Sequence, residues 1–251
     1  MIFAAGLGTR LRPLTDSLPK ALIPVGGKTM LERVILKLRD AGIERMVINV
    51  HHHAEKIRDF LAMHNNFGVY ISISDETAML LDTGGGVAAA APLLLDGVDE
   101  PVLIHNADIL TDFPLADMMA DFGLSDRDAS LLIADRKSSR ALLFDGDGRM
   151  RGWCRTDGSE IRPAELVADG LDQYAFGGVH IISPRVIEAL VEYAAVNRNV
   201  FSITDFYIDT CKDFNYIGWP PAGRFAWFDI GRPATLEAAR MWADSADAVN
   251  H

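Results

Sequence analysis

Two cysteines among 251 residues, Cys154 and Cys211, are too few and too far apart for a disulfide framework or a C-x-x-C metal knuckle, so both are expected as ordinary reduced thiols. Long apolar runs are missing as well. None approaches the roughly 20 residues that a membrane span needs, and the N-terminus lacks the basic flank and cleavage site of a secretory signal. Positive charge is also scarce, with 24 Lys and Arg against 35 Asp and Glu and a net charge of −11. Nucleic-acid binders cluster cations against phosphate, and this chain does not. The absences therefore exclude a nucleic-acid partner and a membrane partner and lead to an expected cytoplasmic location. No internal repeat or low-complexity linker interrupts the chain.

What is present is enough apolar content, 49%, to fill a sizeable core in one large α/β domain. The chain opens on an apolar run, Ile2 to Ala5, that stops at Gly6, Gly8 and Thr9, with Arg10 directly after. This reads as a buried strand feeding a phosphate loop, since glycines let backbone N–H groups approach an anion and an arginine can fork onto phosphate oxygens. Lys20 adds a second cation, set between Pro19 and the run Ala21 to Pro24. A dinucleotide loop would need a third glycine where Leu11 stands. The Gly27-Lys28-Thr29 triplet imitates the end of a P-loop, but Leu22 occupies the place of its first glycine.

Ala4-Ala5-Gly6-Leu7-Gly8-Thr9-Arg10-Leu11-Arg12-Pro13, followed by Pro19-Lys20, resembles the signature of the sugar-phosphate nucleotidylyltransferases, which join a nucleoside triphosphate to a sugar 1-phosphate. The resemblance implies nucleotide-binding roles for Ala4, Ala5, Gly6, Gly8, Thr9 and Arg10, and catalytic charge neutralisation by Arg10 and Lys20. A second fingerprint, Asp82-Thr83-Gly84-Gly85-Gly86, resembles the family's glycine-rich turn over the nucleobase. It implies that Thr83, Gly84 and Gly85 bind the nucleotide, with Glu76 as an acceptor for a base N–H. The glutamine and proline-glycine turn of some relatives is absent, which favours the N-acetylmuramate-1-phosphate uridylyltransferase and mannose-1-phosphate guanylyltransferase branch over thymidylyltransferases.

Helical and strand periods alternate through the first half. Leu31, Val34, Ile35 and Leu38 share a helical face, and Met46 to Val50 reads as a buried strand. A helix over Ala54 to Met63 and a strand over Val69 to Ser74 follow, then a helix starting after Gly86 and a strand from Val102 to His105. This order predicts a single-domain, Rossmann-like (GT-A-like) α/β fold with a mixed, mostly parallel sheet flanked by helices. A hairpin around Asp145 to Gly148 and a polar stretch from about Arg155 to Asp172 are expected as a small hairpin and lid insertion. Strands Ala175 to Ile182 and Phe225 to Phe228 and helices Pro184 to Ala194 and Pro233 to Ala243 complete the second half, with Met241 and Trp242 expected to pack the last helix. Residues 1–110 are expected to form a nucleotide-binding half of one 1–251 domain, and residues 111–251 a sugar-phosphate-binding half with a closing helix.

In open α/β sheets ligands bind beyond the carboxyl ends of the strands. His51, His52 and His53 stand at one such end, but adjacent residues on an extended chain cannot all converge on one ion. Asn106-Ala107-Asp108 stands at another, where a carboxylate calls for a cation. The resemblance extends to Trp227-Phe228-Asp229-Ile230-Gly231, which fits the family's second carboxylate motif, so Asp108 and Asp229 are the expected magnesium ligands. Asn106, Phe176, Gly177 and Gly178 are expected to hold the sugar phosphate. A second Glu-Lys-Pro motif is absent between Phe144 and Tyr174, leaving Arg155, Arg162 or Glu165 as substitutes.

The implied activity is nucleotidylyl transfer to a sugar 1-phosphate with release of pyrophosphate, with magnesium as cofactor. The leading case is UTP with N-acetylmuramate 1-phosphate in cell-wall sugar recycling, and the alternative is GTP with mannose or heptose 1-phosphate. A non-catalytic nucleotide-sugar sensor is the reading from another class, which the four residues Arg10, Lys20, Asp108 and Asp229 argue against. The expected partners are those small molecules, for a monomer or small homo-oligomer.

Overall fold

A computed structural model describes residues 1–97 and 99–249. The fold is α/β, built on a mixed sheet flanked by helices. Two compact units divide the chain: Met1–Leu80, His105–Phe113 and Phe225–His251 form the first, and Leu81–Ile104 with Pro114–Arg224 the second. Their boundaries differ from the expected division into functional halves after residue 110. The chain leaves the first unit at Leu81 and returns to it twice, so its two strand-end carboxylates come from segments far apart in sequence. Among the described residues, no helix is long and apolar enough to cross a membrane.

In the first unit the sheet is parallel throughout. Strand Ile2–Phe3 pairs with Arg45–Val50 on one side and with the His105–Asn106 end of Val102–Asn106 on the other, and Arg45–Val50 pairs with Tyr70–Asp75. The opening strand is two residues shorter than the apolar run suggested, because Ala4 and Ala5 are buried without being part of it. Helix Met30–Asp40 buries Met30, Leu31, Val34, Ile35 and Leu38, the face predicted by spacing, and is capped by Thr29, whose hydroxyl accepts from the Glu32 N–H at 3.1 Å. Lys28 lies in a hairpin, Pro24–Val25 against Lys28–Thr29, turned by Gly26 and Gly27 at φ 54° and 72°. This gives the Gly-Lys-Thr triplet a structural purpose unrelated to phosphate.

A strand the sequence reading missed, Ile109–Thr111, pairs antiparallel with Trp227–Asp229. Around that ribbon Leu11, Ile23, Val25, Met30, Leu110, Ile230, Leu236, Ala239 and Ala243 form one buried core. Trp242 packs against it as expected, whereas Met241 lies on the exposed side of helix Pro233–Val249. Positions 236, 239 and 243 fall on one helical face and 241 on the opposite one.

In the second unit pairing is largely antiparallel. Strand Asp172–Ile182 lies between Ala129–Ala134 and Arg140–Phe144, and Arg140–Phe144 continues through Met150–Arg155 to Ile161–Arg162. Tyr216–Trp219 joins Ala129–Ala134 in parallel. The segment read as a lid is packed down: Ile161, Leu166, Ala168 and Leu171 cover Ala141, Leu143 and Cys154. Helix Asp82–Leu94 begins five residues earlier than expected, so the glycine run forms its first turns rather than a loop before it. Helix Leu115–Gly123 was not anticipated.

Candidate active site

The first strand ends in a backbone that must bend sharply, and Gly8 makes the bend at φ 64°. A β-carbon there would lie 2.7 Å from Thr15 Cγ2 and 3.2 Å from Lys20 Cβ, so both its conformation and its space exclude a side chain. The Gly8 carbonyl accepts from the Leu11 N–H and from the Thr15 hydroxyl, each at 2.9 Å. A short 3-10 turn, Thr9–Leu11, follows, and buried Leu11 anchors it in the core while Arg10 remains exposed. The loop is thus nailed down by one leucine and one threonine, leaving Gly6, Thr9 and Arg10 at the surface.

Lys20 lies in the 3-10 turn Lys20–Leu22 after Pro19 and is only 8% exposed. A buried ammonium is costly unless paired. Its Nζ donates to Asp108 Oδ2 in a close contact and lies 3.7 Å from Asp229 Oδ1. The two carboxylates are brought together by ribbon register: Asp229 pairs with Ile109, and the Ile230 N–H donates to the Asp108 carbonyl at 3.0 Å. The Asp229 carboxylate also accepts from the Gly231 N–H at 2.8 Å, an Asx-type turn that fixes its orientation. A β-carbon on Gly231 would lie 2.7 Å from Asp229 Oδ1 and 2.9 Å from both Arg10 Nη2 and Lys20 Nζ. Three charged groups from three segments therefore bracket one glycine.

The donor set suits magnesium. Two carboxylates offer hard oxygen ligands, both remain partly exposed, and they already converge on a cation, the Lys20 ammonium. Among the described residues no group of three or more His, Cys, Asp or Glu is arranged to hold a metal. An ion held by this pair would need further oxygen ligands from outside it. The three histidines do not converge on one point: His51 Nδ1 meets the Glu76 carbonyl at 2.6 Å, whereas His53, the cap of helix Ala54–Met63 at φ 56°, has its ring 3.8 Å from that of His52 and its Nε2 3.2 Å from the Asp16 carbonyl.

Glu76 is 2% exposed, and Asn49 Nδ2 donates to its Oε1 at 2.7 Å. The same Asn49 accepts from the Ala4 N–H through Oδ1 at 2.8 Å. Sequence reading did not single out Asn49 or Thr15. An amide inside the apolar run Met46 to Val50 was the available signal, because a buried amide must find partners.

Thr83, Gly84 and Gly85 belong to the second unit, and their local role there is packing. The Gly84 and Gly85 N–H groups donate to the Phe201 carbonyl at 2.9 and 3.3 Å, and Thr83 Oγ1 accepts from the Ile203 N–H at 2.9 Å. A β-carbon would lie 2.3 Å from the Phe201 ring at Gly84 and 2.0 Å from the Asn199 carbonyl oxygen at Gly85. The glycine run therefore admits the neighbouring chain. Phe176 and Gly177 lie in strand Asp172–Ile182, where Phe176 stacks on His180 at 5.4 Å and Gly177 makes room for Leu132. Gly178 follows at φ 74°. The Arg155, Arg162 and Glu165 side chains are engaged within the second unit by Glu160, by Asp205 and Asp209, and by Lys212. Asn106 ends its strand in the first unit, and the adjacent Ala107 N–H donates to the Phe3 carbonyl at 3.0 Å.

The first unit thus carries a glycine loop with an arginine and a lysine clasped by two strand-end carboxylates, and residues 1–144 match the family described as nucleotidyl transferase. The chain belongs to that nucleotidyl transferase family. It is similar to an N-acetylmuramate alpha-1-phosphate uridylyltransferase of Caulobacter vibrioides, 43% identical over 110 residues, or 43% of this chain and 44% of that protein. It is also similar to the mannose-1-phosphate guanylyltransferase catalytic subunit beta of Drosophila pseudoobscura pseudoobscura, 27% identical over 242 residues, or 93% of this chain and 59% of that one. The matches thus span about half the length of these relatives. A crystal structure of UDP-glucose pyrophosphorylase complexed with UDP-glucose superposes with a TM-score of 0.75 at 19% identity, covering 100% of this chain and 98% of that one, and shares the fold.

Proposed function

We infer that this protein is a magnesium-dependent sugar-1-phosphate nucleotidylyltransferase. The observation that carries the reading is the Lys20 ammonium held between Asp108 and Asp229, with the Arg10 guanidinium beside the same glycine. In the reaction a phosphate oxygen of the sugar 1-phosphate attacks the α-phosphorus of the nucleoside triphosphate, the bond to the β-phosphate oxygen breaks, and pyrophosphate leaves. The attacking phosphate is already ionised near neutral pH, so no side chain need act as a base. The work left to the chain is alignment and charge neutralisation.

Arg10 sits on the exposed loop and suits the departing β- and γ-phosphates through bidentate hydrogen bonds. Lys20 is buried and cannot swing far, which suits it to charge that builds on the transferring phosphoryl group. Asp108 and Asp229 would hold the magnesium ion, whose chemistry when bound is neutralisation of the phosphate oxygens.

For substrates, UTP with N-acetylmuramate 1-phosphate is the leading pair, supported by the name of the 43%-identical relative. Guanylyl transfer to mannose 1-phosphate is the second reading, favoured by the guanylyltransferase relative that matches 93% of the chain. The test is pyrophosphate release with magnesium across UTP, GTP, CTP, ATP and dTTP against a panel of sugar 1-phosphates. Release is expected with one base and sugar pair, reduced by roughly 100-fold or more in Asp108→Asn, the scale on which lost electrostatic stabilisation acts. Nucleotide-sugar binding without turnover in the wild type would instead identify a sensor.

A further inference from the structure

Ala4 is the first residue beyond the opening strand, so its N–H has no partner in the sheet ladder, and Asn49 supplies one from inside the neighbouring strand. Phe3 and Asn49 are register partners, which places the amide directly beside the point where the nucleotide loop departs. Asn49 is 3% exposed and its second group, Nδ2, is committed to the Glu76 carboxylate. Glu76 is itself fixed to the strand, because its N–H donates to the Val50 carbonyl at 2.8 Å. On the other flank the Ala107 N–H holds the Phe3 carbonyl.

These bonds have a definite polarity. The Ala4 backbone N–H only donates, so the amide oxygen must face Ala4 and the amide nitrogen is left to face the Glu76 carboxyl oxygen. A reversed amide would set oxygen against carboxylate and two donors against each other, with both side chains buried. Glu76 holds the amide nitrogen, and the amide oxygen is thereby set where it receives the Ala4 N–H.

We propose that Asn49 is a positioning residue for nucleotide binding, fixing the take-off of the Ala4 to Arg10 loop, and that Glu76 acts through Asn49 rather than by touching the nucleobase. This rests on the transferase reading above. It assigns to the buried pair an effect on nucleotide affinity, whereas Asp108, Asp229 and Lys20 govern the transfer step.

The test exploits the polarity. Asn49→Asp keeps the size but sets two carboxylates together, so the Ala4 anchor is strained. Asn49→Asp combined with Glu76→Gln restores a complete set: the introduced carboxylate accepts from the Ala4 N–H with one oxygen and from the introduced side-chain amide with the other. Nucleotide Kd by calorimetry, KM and kcat by pyrophosphate release, and unfolding temperature are measured for the wild type, both variants and Asn49→Ser. The expected result is a nucleotide Kd and KM roughly 10- to 100-fold higher in Asn49→Asp, the scale of one lost buried bond to a charged partner, with kcat changed less than about 3-fold. The double variant should recover most of that loss, and Asn49→Ser should lie between. If Asn49→Asp does not fold, the double variant and Asn49→Ser still decide the matter, by near-normal and weakened nucleotide binding respectively. Wild-type KM in both single variants, a change confined to kcat, or no recovery in the double variant would overturn the proposal. A wild type that binds nucleotide without releasing pyrophosphate would refute the transferase reading alone, since the Kd series still tests Asn49.

Discussion

Replacing Gly231 with alanine puts one methyl group where three charged side chains converge. Gly231 has no left-handed backbone angle, so alanine is not excluded by conformation, and the perturbation is steric. Ordinary contact begins at 3.4 Å, so the β-carbon falls short by 0.7 Å at Asp229 Oδ1 and by 0.5 Å at both Arg10 Nη2 and Lys20 Nζ. Arg10 ends an exposed, flexible side chain and can retreat. Lys20 is confined by Asp108, and Asp229 Oδ1 is tied to the Gly231 N–H at 2.8 Å, so neither can yield without breaking a bond. Misplacement approaching 1 Å costs on the order of 100-fold in a positioned reaction. Gly231→Ala is therefore expected to lower kcat for pyrophosphate release by roughly 10- to 100-fold, about 1.4–2.7 kcal/mol in barrier. Gly123→Ala is the matched control: its β-carbon meets nothing within 4 Å, at the end of a helix, so activity should be unchanged. Activity of Gly231→Ala within about 3-fold of wild type would refute the idea that Lys20 and Asp229 are held in one fixed arrangement.

Two further outcomes concern stability. Gly85→Ala would drive a β-carbon to 2.0 Å from a backbone carbonyl oxygen, a contact that cannot relax by a rotamer change, so a loss of about 3 kcal/mol is expected in urea unfolding. A loss under about 1 kcal/mol would mean that the Asn199 segment yields easily. His105 is fully buried, and burial pulls its pKa from 6.5 to about 4, opposed by its bond to the Asn106 carbonyl and aided by nearby Lys37. The unfolded chain then binds the extra proton between pH 6.5 and 4. This contribution is fully present above 6.5 and fades as pH falls through 4, by about 3 kcal/mol in all. Unfolding free energies measured across that range should fall less steeply with acid in His105→Leu than in wild type, and equal slopes would show that His105 does not titrate there.

The sequence determined a good deal by itself. Periodicity placed helix Met30–Asp40 and its buried face, since a 3.6-residue repeat admits one apolar stripe. The glycine loop was legible because positive φ and tight space restrict the residue type, and Lys20, Asp108 and Asp229 stood out as charges at the edges of apolar runs. The family resemblance paired Asp108 with Asp229, but only the tertiary structure showed how these charges meet and that Lys20 lies between them. Asp108 and Asp229 are joined by an antiparallel ribbon whose first strand is only three residues long, too short to show a period. It also decided what the second glycine run does locally, because room for Phe201 and room for a flat ring call for the same residue type. Asn49 was invisible for a related reason. Its composition says only that a buried amide needs partners, and its partners at positions 4 and 76 become neighbours only once the parallel strands are in register.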